Sequence, residues 1–124
     1  MLKDMPKKTG FARILAAFFY SRDGLKAAFN NEAAFRQEIF LFILFLPILY
    51  YLPATHVIKA LLLLVNSLVL IVELLNSAIE AVVNLASPEY HDLAKQAKDM
   101  GSAAVLISLC ISLTLWGYAI FDLM

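Results

Sequence analysis

The chain has 124 residues, of which 62% are hydrophobic and 16% charged, and its formal net charge is zero. A soluble domain of this length has too much surface to hide so large an apolar fraction, so we expect a single membrane-embedded domain over residues 1–124. The balanced charge argues against a nucleic-acid partner, and the single cysteine, Cys110, excludes an intrachain disulfide and a cysteine-based metal cluster.

The first predicted element is an amphipathic helix over about residues 11–29 that lies on the membrane surface. Its apolar side chains fall within about 80° of one another on a helical wheel. Arg22 falls within the same arc, so the helix either breaks between Ser21 and Gly24 or extends the Arg22 side chain toward water. The apolar positions are Phe11, Ile14, Leu15, Phe18, Leu25 and Phe29.

The first membrane span is predicted over about residues 32–52. Its uncharged run, IFLFILFLPILYYL, would cover only about 21 Å as a helix, less than the roughly 30 Å of a hydrocarbon core. The helix must therefore begin near Glu32, which places Glu32 and Arg36 on one face. Pro47 is expected to kink this helix and Pro53 to mark its end.

Two further spans are predicted over about residues 57–86 and 101–123. Thr55 is a candidate N-cap of the first of these. The pair Ser87 and Pro88 offers an N-cap followed by a first-turn proline, so a new helix is expected to begin there. The predicted fold is therefore all-α and integral to the membrane, with three transmembrane helices and an N-terminal amphipathic surface helix.

The distribution of Lys and Arg predicts the orientation. Seven of these residues precede Ile39, Lys59 alone lies near the first turn between spans, and Lys95 and Lys98 lie in the second turn. Basic residues are retained on the cytoplasmic side. We therefore expect the N-terminus and the second turn in the cytoplasm and the C-terminus outside.

The segment VELLNSAIEAVVN in the second span carries a stripe of polar residues. A charged side chain at this depth costs several kcal/mol when it faces lipid, so the stripe should face protein, water or metal. The alternative is that these groups only bond to neighbouring helices and fix an oligomer, which for Asn66 taken alone is the favoured interpretation. The residues that fall within about 60° of Glu73 on the helical wheel are Asn66, Asn76, Ser77, Glu80 and Asn84.

The third span contains small and hydroxyl-bearing residues that we interpret as packing groups. Gly101 to Ala104 should let helix backbones approach closely. Trp116 and Tyr118 are expected to be interfacial or lipid-facing aromatics. The hydroxyls expected to bond to the backbone of the preceding turn are those of Ser108, Ser112 and Thr114.

The polar residues suit phosphoryl transfer. Glu73 and Glu80, with Glu32 on the first span and Lys98 and Asp99 in the second turn, provide hard oxygen ligands and a cation. Such ligands suit Mg²⁺, which usually completes its coordination shell with substrate phosphates. The common nucleotide-binding motifs are absent from the sequence, so the residues alone leave an ATP site open.

Three blocks give a more specific indication. NEAAFRQE (31–38), ELLNSAIEAVV (73–83) and EYHDLAKQAKDMGSAAVL (89–106), together with TGFARI near the start, resemble the small bacterial integral-membrane diacylglycerol kinase family. The resemblance covers nearly the whole chain. It implies a homotrimer of three-span subunits in the cytoplasmic (inner) membrane of a bacterium, which transfers the γ-phosphate of ATP to diacylglycerol and gives phosphatidate.

The resemblance also implies roles for single residues. Glu73 would be the general base, and Glu32 and Glu80 would hold Mg²⁺. From its position between Glu73 and Glu80 on the stripe, Asn76 could orient Glu73 or hold a phosphate oxygen. Relatives commonly carry an aspartate at the position of Asn84, so no charge-dependent role is carried over there, and we expect activity to be kept. The implied ATP contacts are Tyr20, Glu32, Glu80, Glu89, Tyr90, His91, Lys98 and Asp99, and the implied lipid contacts are Arg13, Glu73 and Lys98.

Three alternatives remain open on the sequence alone. An undecaprenol kinase of the same family would share the catalytic blocks and use another lipid alcohol. A non-enzymatic oligomeric cation channel or transporter subunit would need polar residues along the outer half of the second span, where LLLLV precedes Asn66. A purely structural membrane protein would have no need of Lys98 and Asp99 beside the acidic stripe.

Overall fold

The computed structural model describes residues 9–124, and this part of the chain forms four α-helices. The helices are α1 (Gly10–Asn31), α2 (Ala33–Tyr51), α3 (His56–Ala86) and α4 (Asp92–Leu123). Helices α2, α3 and α4 are long and apolar enough to cross a membrane. The predicted all-α fold with three spans and an N-terminal helix is confirmed. Residues 3, 7 and 8, which contribute to the predicted orientation, lie outside the described residues.

Helix α1 runs without a break through residues 21–24. The Ser21 hydroxyl donates to the Ala17 carbonyl at 2.8 Å, as an ordinary helical side chain can. The Arg22 guanidinium lies 5.2 Å from the centre of the Phe19 ring and 3.6 Å from the Asp23 carboxylate. Of the two sequence-based alternatives, the continuous helix is therefore the correct one.

A single residue, Glu32, separates α1 from α2. Its backbone is extended (φ −118°, ψ 108°), its N–H donates to the Ala28 carbonyl at 2.9 Å, and its carbonyl accepts from Arg36 N–H at 3.2 Å. The Arg36 guanidinium donates to the carbonyls of Phe29 (2.7 Å) and Asn30 (3.1 Å) at the end of α1. Exposed carbonyls at a helix C-terminus attract cations, so Arg36 caps α1 and leaves the Glu32 carboxylate without an ion pair among the described residues.

At the turn between α2 and α3, the predicted N-cap is confirmed. The Thr55 hydroxyl accepts a hydrogen bond from Ile58 N–H at 3.3 Å. The Lys59 ammonium donates to the Tyr50 carbonyl at 2.9 Å and so caps the end of α2. Beside this turn the apolar side chains of Leu49, Leu62 and Ala119 join α2, α3 and α4 in one buried cluster.

The predicted start of a helix at Ser87 and Pro88 is wrong. Ser87 ends α3 with its N–H on the Val83 carbonyl (2.8 Å), and its hydroxyl donates to the Glu89 carbonyl (2.9 Å) within the turn. Helix α4 begins at Asp92, where the His91 imidazole Nδ1 accepts from Leu93 N–H at 3.1 Å. The serine hydroxyl is already used inside the turn, so the histidine serves as the N-cap.

Helix α3 lies between α2 and α4, and α1 packs against α2. In the half of α3 nearer His56, which we call the far half, Asn66 Oδ1 accepts hydrogen bonds from Trp116 Nε1 (2.9 Å) and Ser112 Oγ (3.3 Å). The interhelical role favoured for Asn66 is confirmed. Of the two roles expected for Trp116, interfacial or lipid-facing, the lipid-facing one does not fit, because its ring is half-buried and 4.9 Å from the Phe45 ring.

The hydroxyls of α4 divide between two kinds of partner. Ser108 and Thr114 donate to carbonyls of the preceding turn, those of Val105 and Cys110, both at 2.7 Å, as predicted. Ser112 does not follow this prediction because its hydroxyl bonds to Asn66 instead. The Ser112 hydroxyl therefore donates to the Asn66 amide oxygen on α3 and not to a carbonyl of its own helix.

Candidate active site

The acidic part of the polar stripe, from Glu73 to Asn84, occupies the half of α3 nearer the α3–α4 turn, which we call the turn half. Residues three or four positions apart share one face of a helix, and here this places Glu73, Asn76 and Glu80 in one row. Glu73 is only 6% exposed and Asn76 9%, whereas Glu80 is half-buried. The row therefore runs from a buried carboxylate to a more accessible one nearer the turn.

Asn76 connects this row. Its Nδ2 donates to Glu80 Oε1 at 3.4 Å, while its Oδ1 is buried and has no hydrogen-bond partner among residues 9–124. Of the two roles left open for Asn76, orientation of Glu73 has no hydrogen bond to support it. The amide instead orients Glu80.

Four carboxylates lie close enough to interact. Glu38, Glu80 and Glu32 all lie near enough to Glu73 for their charges to act on it. Sequence reasoning missed Glu38, which is half-buried on α2. The signal was available, because Glu38 ends the NEAAFRQE block and is a carboxylate inside a span. Several negative charges held this close together favour a cation.

The donor set fits Mg²⁺ bound together with phosphates better than a metal held by protein alone. Among residues 9–124, no three His, Cys, Asp or Glu side chains converge as a ready set of metal ligands. Magnesium typically takes one or two carboxylates and completes its shell with water and phosphate oxygens. Glu80, already held by Asn76, and Glu32, without an ion pair, are carboxylates of this kind.

Glu32 shares a pocket between α1 and α3 with one member of the stripe, Ser77. This pocket, of about 690 Å³, is lined by Glu32 and by Ser77, which lies between Asn76 and Glu80 on α3. Tyr20 and Arg13 are exposed on α1, and neither lines the pocket. Within one chain, therefore, the structure brings Glu32 to the stripe but leaves Arg13 and Tyr20 apart from it.

A second pocket, of about 370 Å³, lies at the α3–α4 turn and gathers predicted ATP contacts. Its Lys98 ammonium donates to Asn84 Oδ1 at 2.6 Å and makes no ion pair within residues 9–124. Asp99, by contrast, pairs with Lys95 at 2.6 Å. A cation without a carboxylate partner suits an anionic ligand. The predicted contacts in the lining are Glu89, Tyr90, His91, Lys98 and Asp99.

Three span-length helices carry a row of carboxylates that begins at the buried Glu73, and a polar pocket lies at the α3–α4 turn. These features define a multi-pass membrane protein with a polar site near one end of the bundle. The family described as Prokaryotic diacylglycerol kinase matches residues 19–120. The chain belongs to this family, as the sequence blocks predicted.

Named relatives agree with the family match. The chain is 51% identical to a diacylglycerol kinase of Escherichia coli over 108 residues, which cover 87% of this chain and 88% of the relative. It is 44% identical to that of Haemophilus influenzae over 119 residues (94% and 99%). It is 49% identical to that of Pseudomonas aeruginosa over 109 residues (88% and 89%).

Proposed function

We propose that this protein transfers the γ-phosphate of ATP to the hydroxyl of diacylglycerol and produces phosphatidate in the bacterial inner membrane. The observation that carries the proposal is the 6% exposure of Glu73, a carboxylate buried within a span and followed on the same face by the half-buried Glu80. The family supplies the reaction class, a diacylglycerol kinase. The residues of the stripe and of the turn pocket supply the groups that such a reaction needs.

In the proposed mechanism, Glu73 is the general base. The lipid hydroxyl oxygen forms a bond to the γ-phosphorus, the bond from that phosphorus to the bridging oxygen breaks, and ADP leaves. The hydroxyl proton passes to the Glu73 carboxylate. Because transfer is direct and in line, positioning and charge neutralisation can supply most of the acceleration.

Glu32 and Glu80 would hold Mg²⁺ together with the phosphates of ATP. The bound ion would neutralise negative charge on the transferred phosphoryl group. Asn76 supports this assignment because its hydrogen bond fixes one oxygen of Glu80. Arg36 supports it as well, because its guanidinium is engaged by α1 carbonyls and so does not neutralise Glu32.

The nucleotide would occupy the turn pocket. Lys98, without an ion pair among the described residues, would contact phosphate and approach the lipid, and Asp99, Glu89, Tyr90 and His91 would contact the rest of ATP. Tyr20 would contact the nucleotide and Arg13 the lipid.

A homotrimer is part of the proposal. Tyr20 does not line the turn pocket of its own chain, so a neighbouring subunit offers a way to bring α1 to it. Chemical cross-linking in detergent is expected to give a ladder that ends at the trimer, and a ladder that ends at the dimer would contradict this arrangement. The proposed orientation places the N-terminus and the α3–α4 turn in the cytoplasm and the C-terminus outside.

The structure favours a kinase over a cation channel. In the far half of α3 the side chains of Leu62, Val65 and Val69 are buried and apolar. Asn66 in the same half has its amide oxygen occupied by Ser112 and Trp116. Between residues 60 and 72 of α3, only Asn66 and Ser67 are polar, so the acidic part of the stripe does not continue across the membrane.

The decisive experiment measures transfer of labelled γ-phosphate from ATP by the purified protein to dioleoylglycerol and to undecaprenol in parallel mixed micelles. We expect strong labelling of dioleoylglycerol that requires Mg²⁺ and is lost in Glu73→Gln. Preference for undecaprenol would keep the chemistry and change the acceptor. Labelling of neither lipid would overturn the proposed function.

A further inference from the structure

The buried amide of Asn76 lies directly against Gly101 of α4. Gly101 is itself buried. A Cβ atom added there would collide with Asn76 Oδ1 and lie 3.3 Å from its Cγ. The oxygen therefore occupies the space that any other residue at this position would fill.

The charge on Glu80 determines which end of the amide faces Gly101. The NH₂ end donates to Glu80 Oε1 at 3.4 Å. Turning the amide over would place its oxygen against a carboxylate oxygen, which is repulsive because neither group carries a donor. The Asn76 oxygen must therefore point away from Glu80, and on that side α4 presents only the Cα hydrogens of glycine, which make at most a weak C–H···O contact.

This requirement is specific to one glycine. The chain has four glycines. A Cβ added at Gly117, on the same helix, or at Gly24, on α1, would meet nothing within 4 Å. Glycine at 101 is thus explained by the Asn76 contact and not by a general need for small residues on α4.

We propose that Gly101 is a positioning residue for the metal-binding carboxylate. Because residue 101 has no side chain, the Asn76 oxygen fits against α4. The amide then keeps its NH₂ end on Glu80 Oε1. Glu80 Oε2 takes no part in that hydrogen bond and is free to bind a cation. A side chain at 101 displaces the amide, so Glu80 loses its fixed orientation. The inference rests on the proposed function through the role of Glu80 as a Mg²⁺ ligand.

The test compares Gly101→Ala with the matched control Gly117→Ala, a glycine of the same helix whose new Cβ meets nothing within 4 Å. The first readout is the Mg²⁺ concentration for half-maximal labelling of dioleoylglycerol at saturating ATP. The second is Mn²⁺ binding with a non-hydrolysable ATP analogue, followed by electron paramagnetic resonance without lipid. We expect Gly101→Ala to raise the Mg²⁺ requirement and weaken Mn²⁺ binding, each about tenfold, because a hydrogen bond to a charged group is lost. Equal values for the two alanine variants would overturn the proposal.

A double variant separates positioning from packing. In the Asn76→Ala background the amide is gone, so adding Gly101→Ala should change the Mg²⁺ requirement less than about twofold, as expected for sites coupled through one contact. Full additivity would overturn the proposal. If Gly101→Ala alone fails to fold, the double variant should recover the unfolding temperature of Asn76→Ala, and failure to recover it would also overturn the proposal.

These outcomes are distinct from failure of the proposed function. A wild-type protein that labels neither lipid overturns the function, and the Mn²⁺ measurement still tests Gly101. A wild-type protein that labels dioleoylglycerol, with no difference between the two alanine variants, overturns the positioning role alone.

Discussion

Asn66 and Asn76 are both on α3 and both turn their amides toward α4, but α4 meets them differently. In the far half, Trp116 and Ser112 each donate a hydrogen bond to Asn66 Oδ1. In the turn half, α4 presents Gly101, and Asn76 Oδ1 has no hydrogen-bond partner in the described part of the chain. The first asparagine is bonded across the helix interface, whereas the second is bonded only along its own helix, to Glu80.

These two asparagines therefore have different roles, Asn66 in helix packing and Asn76 in the proposed site. The Asn66 oxygen accepts two hydrogen bonds from α4 and so stabilises helix association, while Asn66 Nδ2 is buried without a partner among the described residues. A polar group that donates a hydrogen bond to a carboxylate of its own helix, as Asn76 does to Glu80, keeps that carboxylate oriented toward a ligand. Substitutions in the turn half should therefore change activity more than stability, and substitutions in the far half should do the opposite.

The largest effect is expected in the turn half from Glu73→Gln. The amide keeps the shape of the side chain but cannot accept the lipid hydroxyl proton, so turnover with saturating ATP and Mg²⁺ should fall at least about 100-fold. The unfolding temperature in detergent should not fall. The matched control is Asp122→Asn, an exposed carboxylate near the end of α4. Near-normal turnover of Glu73→Gln would contradict the assignment of the base.

A smaller effect is expected from Glu80→Gln. Removal of the charge should raise the Mg²⁺ concentration for half-maximal activity by about tenfold or more, because Mg²⁺ is bound mainly through carboxylates and phosphates. Excess EDTA should abolish transfer by the wild-type protein. The metal assignment is wrong if Glu80→Gln leaves the Mg²⁺ dependence unchanged.

In the far half, Trp116→Phe should affect stability alone. It removes the indole donor to Asn66 Oδ1 while keeping an aromatic ring near Phe45. Interhelical hydrogen bonds in membranes contribute about 0.6 kcal/mol on average and up to about 1.7, so the unfolding free energy should fall within that range. Tyr118→Phe, at an exposed position, is the control. A loss of activity without a loss of stability would remove the distinction between the two halves.

The smallest effect is expected from Asn84→Asp. Lys98 already donates to Asn84 Oδ1 at 2.6 Å, and an aspartate there would turn this contact into an exposed ion pair. Such pairs contribute about 0.2–1 kcal/mol, so turnover and the KM for ATP should stay within about fivefold of the wild-type values. An increase in the KM for ATP above tenfold would show that Lys98 must remain unpaired to bind phosphate.

The sequence predicted what depends on periodicity and on local chemistry. Hydropathy gave three spans, the spacing of Glu73, Asn76 and Glu80 gave one helix face, and the hydroxyl of Thr55 gave an N-cap. These features depend on residues close together in the chain, and so they can be predicted without knowing how the helices pack.

What the sequence did not predict depends on the register of one helix against another. Tryptophan is a residue type expected at the membrane interface, but the indole N–H of Trp116 points into the bundle and donates to Asn66 Oδ1. Gly101 was predicted to allow close packing, but only the alignment of α4 on α3 shows that it meets the Asn76 oxygen. At Ser87 the rule for N-caps failed because the hydroxyl had a nearer acceptor, the carbonyl of Glu89.

The one-residue connection between α1 and α2 has a mechanical consequence. The N–H of Glu32 is bonded to α1 and its carbonyl to α2, and Arg36 is bonded to the last carbonyls of α1. A change in the angle between α1 and α2 therefore turns the backbone of the residue that carries the carboxylate. The direction of the Glu32 side chain and the angle between these two helices are thus coupled through one backbone joint.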